Sequence, residues 1–384
     1  MNDERLHRSN AENLDLNIGS SPAIRTLLAL TIGLTVSACT PKSPEVAAPS
    51  SGSAAPGSGS ASAANSGSSV ALSGAGATYP APLYQRWFAE YNKVNPGIQV
   101  SYQSVGSGAG VEQFLAGTVD FGASDAPLKT EDRAKFKTKF GAEPVQVPMT
   151  GGIVVFAYNL DGIKDLKLSR TAYCGIASGK ITKWNDPAIA TANAGAKLPD
   201  GAIKFFHRSD GSGTTFQFTN HLKAACPEWA GGASKSVSWS KGMTGAQGNQ
   251  GVLEQIEAIP NSIGYVEYSL AKQANLSMAA LENKSGKLIV PSPTAGAEAF
   301  VGEKVPADLA LTVPDSPNPK AYPIAGLTWL LLYPQLQDAA KTTALKATIE
   351  WALTTGKASA TELGYLPLDD ELVTKAKAEL SKVK

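Results

Sequence analysis

The hydrophobic positions of the chain fall into two alternating spacings. In residues 82–94, Leu83, Trp87 and Tyr91 recur every four positions, which predicts an amphipathic helix. In residues 98–105, apolar and polar side chains alternate, which predicts a strand with one buried face. The two patterns follow each other directly, as in a strand–helix–strand unit.

The same alternation continues to the carboxyl end. Further helices are expected at 111–117, 214–225, about 335–355 and 369–382. Further strands are expected at 71–78, 119–125, 152–160, 202–208, 262–268 and 324–333. This order of elements predicts an α/β fold with largely parallel sheets.

The amino-terminal segment has the pattern of an export signal. Thirteen uncharged residues, 26–38, follow Arg25, which is too short to span a bilayer but suits a signal-peptide core. They end in Val-Ser-Ala before Cys39, which resembles a bacterial lipobox. We therefore expect residues 1–38 to be a lipoprotein signal peptide and Cys39 to carry lipid. The alternative is an ordinary signal peptide with an incidental cysteine.

Residues 40–71 are almost entirely Ser, Gly, Ala and Pro. Such a composition cannot bury enough apolar area to offset the entropy lost on ordering. Segment 39–71 is therefore expected to be a lipidated cysteine followed by a disordered tether. A Gly/Ser-like chain of this length has an r.m.s. span of roughly 30 Å, so it would let a globular body stand off a membrane surface.

Composition narrows the possible partners. The 34 basic and 33 acidic side chains give a net charge of +1, which argues against a broad nucleic-acid-binding face. Three His and three Cys leave little material for a metal centre, and we expect no metal and no cofactor. The charged fraction, 17%, is low for a soluble protein, partly because of the tether.

Three turns rich in Gly, Ser and Thr stand just before predicted helices, at 74–79, 106–110 and 210–215. A helix start exposes unpaired N–H groups and the positive end of the helix dipole, so each turn is a candidate anion cradle. The alternative is a plain N-cap at each turn. None of the three matches a P-loop or a dinucleotide-binding fingerprint. A fourth Gly-rich segment, 242–251, is expected to be a surface loop leading into a helix.

Five motifs together resemble one family, the phosphate-binding components of bacterial high-affinity phosphate ABC transporters. They are LSGAGATYPAPLYQRW (72–87), VDFGASDAPL (119–128), GKITKWNDP (179–187), HRSDGSGTT (207–215) and IGYVEYSLAKQ (263–273). The resemblance implies a type II periplasmic-binding-protein fold, with two α/β lobes, a ligand cleft and a hinge between them. It places lobe I at 72–147 and 320–384 and lobe II at 148–319.

The resemblance also implies a ligand set. The phosphate contacts would be Thr78, Tyr79, Ser107, Asp125, Arg208, Ser212, Gly213 and Thr214. Asp210 would pair with Arg208 rather than with the ligand. The chain has Tyr79 where the family often has Phe, but that contact comes from the backbone N–H and should survive. The segment 104–110, SVGSGAG, departs slightly from the family pattern.

Asp125 is the most informative of these residues. An ionised carboxylate in an anion site helps only if it accepts a hydrogen bond from a proton on the anion. Phosphate near neutral pH carries such a proton and sulfate does not, so Asp125 would exclude sulfate by charge. The alternative is that Asp125 caps the segment beginning at Leu128.

Cys174 and Cys226 are the remaining cysteines, and both fall in the predicted lobe II. An oxidising, exported setting permits a disulfide between them. The alternative is two unpaired buried thiols, because sequence does not show geometry.

These features favour a lipid-anchored, extracytoplasmic receptor that binds inorganic phosphate and delivers it to a membrane permease. We expect a monomer without nucleic-acid partners, and no enzymatic activity. Two alternatives stay open: a receptor or sensor for another oxyanion, and a phosphate-ester hydrolase on the same fold. The sequence shows no metal cluster, no Ser/His/Asp order and no phosphatase nucleophile motif.

Overall fold

A computed structural model describes residues 69–384 of the chain. The predicted signal peptide, the predicted lipidation site Cys39 and the tether up to residue 68 lie outside the described residues. The first strand begins at Val70, so the last two residues of the predicted tether are part of the fold. The described residues belong to one compact body.

Strands and helices alternate through this body. The strands are β1 Val70–Gly76, β2 Ile98–Ser104, β3 Phe121–Ser124, β4 Val145–Asn159, β5 Lys167–Leu168, β6 Lys204–Arg208, β7 Thr244–Ala246, β8 Ser262–Glu267, β9 Ser277–Met278, β10 Ala280–Glu282, β11 Leu288–Ile289 and β12 Ala325–Leu332. The α-helices are α1 Ala81–Val94, α2 Ser107–Ala116, α3 Thr130–Phe140, α4 Arg170–Ala177, α5 Pro187–Ala190, α6 Gly213–Ala225, α7 Gly248–Ala258, α8 Tyr268–Gln273, α9 Pro293–Ala297, α10 Ala339–Leu353, α11 Lys357–Leu363 and α12 Asp370–Leu380. The α/β class predicted from the sequence is confirmed.

The main sheet has the strand order β2-β1-β3-β12-β4-β8-β6-β7, with β9 beside β4. Its two ends are parallel, β2-β1-β3 on one side and β8-β6-β7 on the other. The centre is antiparallel, because β12 runs against both β3 and β4, and β4 runs against β8. The prediction of largely parallel sheets is therefore wrong at the centre. A fully buried strand has the same apolar run in either direction, so the pattern does not show its polarity.

Strand β4 joins the two parallel ends. Its first part pairs with β12 and its second part, from Val154, pairs with β8. The sequence predicts only the second part, 152–160, because Pro148 and Gly151 interrupt the strand pattern before it. The strand nevertheless continues through both residues, and 14 of its 15 positions are buried.

Two predicted helices begin several residues away from their predicted starts. Helix α2 begins at Ser107, four residues before the predicted start, so the turn 106–110 contains the first helical turn. The predicted helix 335–355 is confirmed over Ala339–Leu353. The separate helices α11 and α12 follow, of which only the second is predicted. No helix of the described part is long and apolar enough to cross a membrane.

A disulfide joins Cys174 on α4 to Cys226 at the end of α6, with 5.5 Å between the two Cα atoms. The disulfide links the carboxyl-terminal end of α6 to α4. The amino-terminal end of α6 reaches the candidate site.

Candidate oxyanion-binding site

Unpaired backbone donors come together at the helix starts that follow the carboxyl ends of β1, β2 and β6. Helix α2 follows Gly106, which has a φ of +90°, and helix α6 follows the N-cap Ser212. Among the described residues, none accepts a hydrogen bond from the backbone N–H of Tyr79, Ser107 or Gly213. These free N–H groups stand at the positive ends of helix dipoles, which is the arrangement that binds anions.

Gly213 lies against the side chains of two other predicted site residues. A Cβ added at Gly213 would stand 2.5 Å from Oδ2 of Asp125 and 2.5 Å from Oγ of Ser107. Only glycine therefore fits there. The structure brings Ser107, Asp125 and Gly213 to one point, although they come from three separate segments of the sequence.

Arg208 is buried and paired with Asp210. Its Nε donates to Oδ1 of Asp210 at 2.7 Å, and its Nη2 contacts Oδ2 of the same carboxylate. The backbone N–H of Gly248 donates to Oδ1 at 3.0 Å. Burial raises the pKa of Asp210, but the hydrogen bonds and charge of Arg208 outweigh it and hold this pKa below its usual range. The carboxylate thus fixes one edge of the guanidinium, as the sequence predicts.

The other edge of the Arg208 guanidinium points towards helix α6. Its Nη1 lies 3.4 Å from Oγ1 of Thr214. Arg208 is only 3% exposed, so this edge is held in a water-poor setting where a charge-assisted hydrogen bond is strong. The guanidinium therefore provides the positive charge of the site.

Asp125 provides the negative charge, and it is 1% exposed. Its Oδ1 accepts a hydrogen bond from the Thr328 hydroxyl at 2.8 Å, and its Oδ2 lies 3.4 Å from Oγ of Ser107. Burial raises its pKa to about 7, against the lowering effects of the Thr328 hydroxyl and the Arg208 charge. Helix α3 begins only at Thr130, with Lys129 as its N-cap, so the interpretation of Asp125 as a helix cap is wrong.

Ser212 has fewer free donors than its position suggests, whereas Tyr79 keeps its donors. Oγ of Ser212 accepts from the N–H of Thr215 at 3.0 Å, and its backbone N–H donates to Lys235 at 2.9 Å. Only the hydroxyl proton of Ser212 is left for a ligand. The carbonyl of Tyr79 accepts a hydrogen bond from the Tyr365 hydroxyl at 2.8 Å, and its backbone N–H stays free.

Two neighbours of the site are missed by the sequence interpretation. Asn249 is fully buried and donates to Thr78 and Thr214, so the predicted surface loop at 242–251 is wrong at that position. No periodicity signals this contact, because Asn249 meets them only through the fold. Thr328 did carry a signal: it is a polar residue inside the apolar strand 324–333.

A direct backbone contact closes the site on one side. The N–H of Gly108 on α2 donates to the carbonyl of Gly211 at 2.7 Å. A Cβ at Gly211 would stand 3.0 Å from Cα of Gly108. The turn before α6 and the first turn of α2 are thus in contact through their glycine backbones.

The cluster combines many hydrogen-bond donors, the Arg208 guanidinium with its paired Asp210 carboxylate, and the separate buried carboxylate of Asp125. Such a set suits a small oxyanion that carries a proton, because the carboxylate needs a donor from the ligand. Within residues 69–384, no group of three or more His, Cys, Asp or Glu side chains is arranged to hold a metal ion.

Comparison with known proteins places the chain in a family. The PBP superfamily domain matches residues 54–355. The phosphate-binding protein PstS of Pasteurella multocida (strain Pm70) is 41% identical over 315 residues, which cover 79% of this chain and 88% of that protein. The PstS of Haemophilus influenzae is 39% identical over 313 residues, which cover 79% of this chain and 91% of that protein.

Solved structures agree on the fold. A high affinity periplasmic phosphate-binding protein bound with phosphate has a TM-score of 0.68 at 24% identity, covering 80% of this chain and 93% of its own. A phosphate-binding protein from Stenotrophomonas maltophilia has a TM-score of 0.66 at 20% identity, covering 81% and 94%. The chain therefore belongs to the PstS family of phosphate-binding proteins and has the type II periplasmic-binding-protein fold that its motifs predict.

Proposed function

We propose that the protein binds inorganic phosphate in this site and passes it to the permease of a phosphate ABC transporter. The observation that carries the proposal is a single buried carboxylate, Asp125, within a set of hydrogen-bond donors. Arg208 and the free N–H groups of Tyr79, Ser107 and Gly213 would bind the phosphate oxygens. Asp125 would accept the hydrogen bond from the phosphate's own proton.

The same carboxylate would exclude fully ionised oxyanions. Sulfate has no proton to offer, so at a pH well above 7, where Asp125 is ionised, it would face this carboxylate as an uncompensated like charge. Leaving such a contact in a buried site costs about 1–3 kcal/mol, which is roughly five-fold to more than a hundred-fold in affinity. The membership of the PstS family supports phosphate as the preferred ligand.

Calorimetric titration of the full chain with phosphate, sulfate, arsenate and a phosphate monoester tests this proposal. We expect tight phosphate binding, weak sulfate binding and an intact ester after incubation. Arsenate shares the charge and shape of protonated phosphate, so it is the hardest anion to reject. Sulfate binding equal to phosphate binding would favour a general oxyanion receptor, and release of phosphate from the ester would favour a hydrolase.

We further propose that binding closes two lobes, 72–147 with 320–384 against 148–319. The Gly108 to Gly211 hydrogen bond joins these two sets of residues and supports this division. Thr78 and Asn249 make a second such contact. Small-angle scattering should show a more compact molecule with saturating phosphate, and an unchanged scattering curve would contradict the closure.

The proposed setting is extracytoplasmic, with the protein anchored to a membrane by lipid on Cys39 and monomeric. The sequence pattern before Cys39 supports the anchor. Cys39→Ser should move the protein from the membrane fraction to the soluble fraction, while the wild type stays with the membrane. Mass spectrometry that finds an unmodified mature amino terminus at another residue would contradict the anchor.

A further inference from the structure

Asn249 is the second residue of helix α7 and is fully buried beside the candidate site. Its side-chain oxygen accepts a hydrogen bond from the backbone N–H of Glu267 at 3.2 Å. A backbone N–H can only donate, so this contact fixes which end of the amide is oxygen. The NH2 end must therefore face the opposite way, towards the two threonines of the site.

Thr78 receives two hydrogen bonds from this one residue. Nδ2 of Asn249 donates to Oγ1 of Thr78 at 2.9 Å, and the backbone N–H of Asn249 donates to the same oxygen at 3.2 Å. A hydroxyl has one proton and two lone pairs, and both lone pairs of Thr78 are used. The hydroxyl can make a further hydrogen bond only by donating its proton.

Thr214 is held in the same way from the other side. Nδ2 of Asn249 donates to Oγ1 of Thr214 at 2.9 Å, and Nη1 of Arg208 approaches the same oxygen at 3.4 Å. Among the described residues, none accepts a hydrogen bond from the hydroxyl of Thr78 or Thr214. Each hydroxyl is buried, with its lone pairs occupied and its proton unassigned.

We propose that Asn249 is a positioning residue that turns both threonine hydroxyls into obligatory donors towards the bound anion. This inference rests on the proposed function, because the anion is the acceptor that receives the two protons. Without the amide, each threonine is free to accept rather than donate, and part of its rotational freedom returns. Asn249 touches no ligand atom in this account and acts only through the two hydroxyls.

The NH2 group of Asn249 also bridges the two proposed lobes. Its two protons go to Thr78 in lobe I and to Thr214 in lobe II. The two hydroxyl donors are therefore fixed together only when both segments have come into contact. This couples the direction of the donors to closure of the site.

A double-mutant cycle on the full chain tests the role of Asn249. Phosphate dissociation constants are measured by calorimetry for Asn249→Ala in two backgrounds, the wild type and the Thr78→Val/Thr214→Val variant. In the wild-type background we expect binding to weaken at least ten-fold. In the background without the hydroxyls we expect a change below three-fold, because the groups on which Asn249 acts are gone.

A matched control is Asn193→Ala, which removes another buried asparagine that hydrogen-bonds to Lys167 and Ile189. It should lower the melting temperature while leaving the phosphate dissociation constant unchanged. If Asn249→Ala does not fold, Asn249→Asp replaces it in the same cycle. Its carboxylate can still accept the hydrogen bond from the backbone N–H of Glu267. The added charge repels phosphate in both backgrounds, so it cancels in the comparison between them.

The outcomes separate this inference from the proposed function. A wild type that binds no phosphate contradicts the proposed function itself. A wild type that binds phosphate, with Asn249→Ala weakening it by the same factor in both backgrounds, contradicts only the positioning role. The positioning role is supported if Asn249→Ala weakens phosphate binding at least ten-fold in the wild-type background and less than three-fold in the Thr78→Val/Thr214→Val background.

Discussion

The hydroxyl of Thr328 donates a 2.8 Å hydrogen bond to Oδ1 of Asp125 across 203 positions of sequence. Thr328 lies on the central strand β12, and Asp125 follows β3 beside it. The bond favours the ionised carboxylate, whereas burial favours the neutral acid, and burial leaves the pKa of Asp125 at about 7. At neutral pH, the Asp125 side chain is therefore partly protonated and partly ionised.

Sulfate binding should depend steeply on this protonation. Below a pH of about 7, Asp125 becomes a neutral acid that can donate to sulfate instead of repelling it. Above that pH, sulfate binding must take up one proton, so the sulfate affinity rises by at most about ten-fold per pH unit as the pH falls towards about 7, and it levels off below about 7. Sulfate titrations from pH 5 to pH 9 in buffers of constant ionic strength measure this slope.

Removing the Thr328 hydroxyl should shift that profile. Thr328→Val takes away a hydrogen bond to the ionised carboxylate, so the pKa of Asp125 rises further. Sulfate binding should then persist to higher pH than in the wild type. Thr342→Val removes a buried hydroxyl that donates to the backbone carbonyl of Asp338 and serves as the control. Coincident profiles for wild type and Thr328→Val would mean that the hydroxyl does not tune Asp125.

The glycine contact between Gly108 and Gly211 should control how firmly the site closes. In Gly211→Ala the new methyl group would stand 3.0 Å from Cα of Gly108 and force the backbones apart. Overpacking of this kind costs about 1–3 kcal/mol, so phosphate should dissociate roughly five-fold to a hundred-fold faster in stopped-flow measurements.

Gly97→Ala is the matched control, because nothing lies within 4 Å of a Cβ at Gly97. It should leave the dissociation rate unchanged. A Gly211→Ala variant that releases phosphate at the wild-type rate would show that the contact is dispensable for closure.

Glu267 should make the ligand-free fold less stable as the pH rises. It is fully buried, and burial raises its pKa to about 7 although the hydroxyl and N–H of Ser269 donate to it. The folded state then holds a proton that the unfolded chain loses near pH 4.5. The free energy of unfolding therefore falls as the pH rises from about 4.5 to about 7, and the low-pH value is the larger one.

Urea unfolding of Glu267→Gln against pH checks this assignment. The neutral amide cannot ionise, so the decline in unfolding free energy between pH 4.5 and pH 7 should be shallower than in the wild type. Equal slopes in the two proteins would place the titrating group elsewhere.

The main elements follow from the sequence because their patterns are local. Helix α1 and strand β2 lie within one residue of their predicted ends, since Leu83, Trp87 and Tyr91 define one face. The polarity of the central strands does not follow, because it depends on how β12 returns between β3 and β4. The full length of β4 is also not predicted, because Pro148 and Gly151 interrupt the strand pattern in its first part.

The residues of the candidate site also differ in how far the sequence predicts them. Asp125, Arg208 and Gly213 lie in the motifs that carry the family resemblance, and Ser107 lies in the less closely matching segment 104–110. The structure places Ser107, Asp125 and Gly213 in contact. Their contact with phosphate stays a prediction. Asn249 has no pattern of its own, since its partners are 171 and 35 positions away in sequence.

The Asp125→Asn substitution tests whether Asp125 accepts the proton of the bound phosphate. Asparagine keeps the size of the side chain, removes the charge and offers an NH2 group to a fully ionised oxygen. Arg208→Ala is the control, because it removes a donor common to all anions and should weaken phosphate and sulfate alike.

The decisive measurement is the ratio of the sulfate to the phosphate dissociation constant at pH 9, where Asp125 is ionised and phosphate still carries a proton, compared between wild type and Asp125→Asn by calorimetric titration. Sulfate affinity should rise by about 1–3 kcal/mol, while phosphate affinity changes much less, so the ratio falls by roughly five-fold to a hundred-fold. An unchanged ratio would contradict the account, because Asp125 would then not be the acceptor of the phosphate proton.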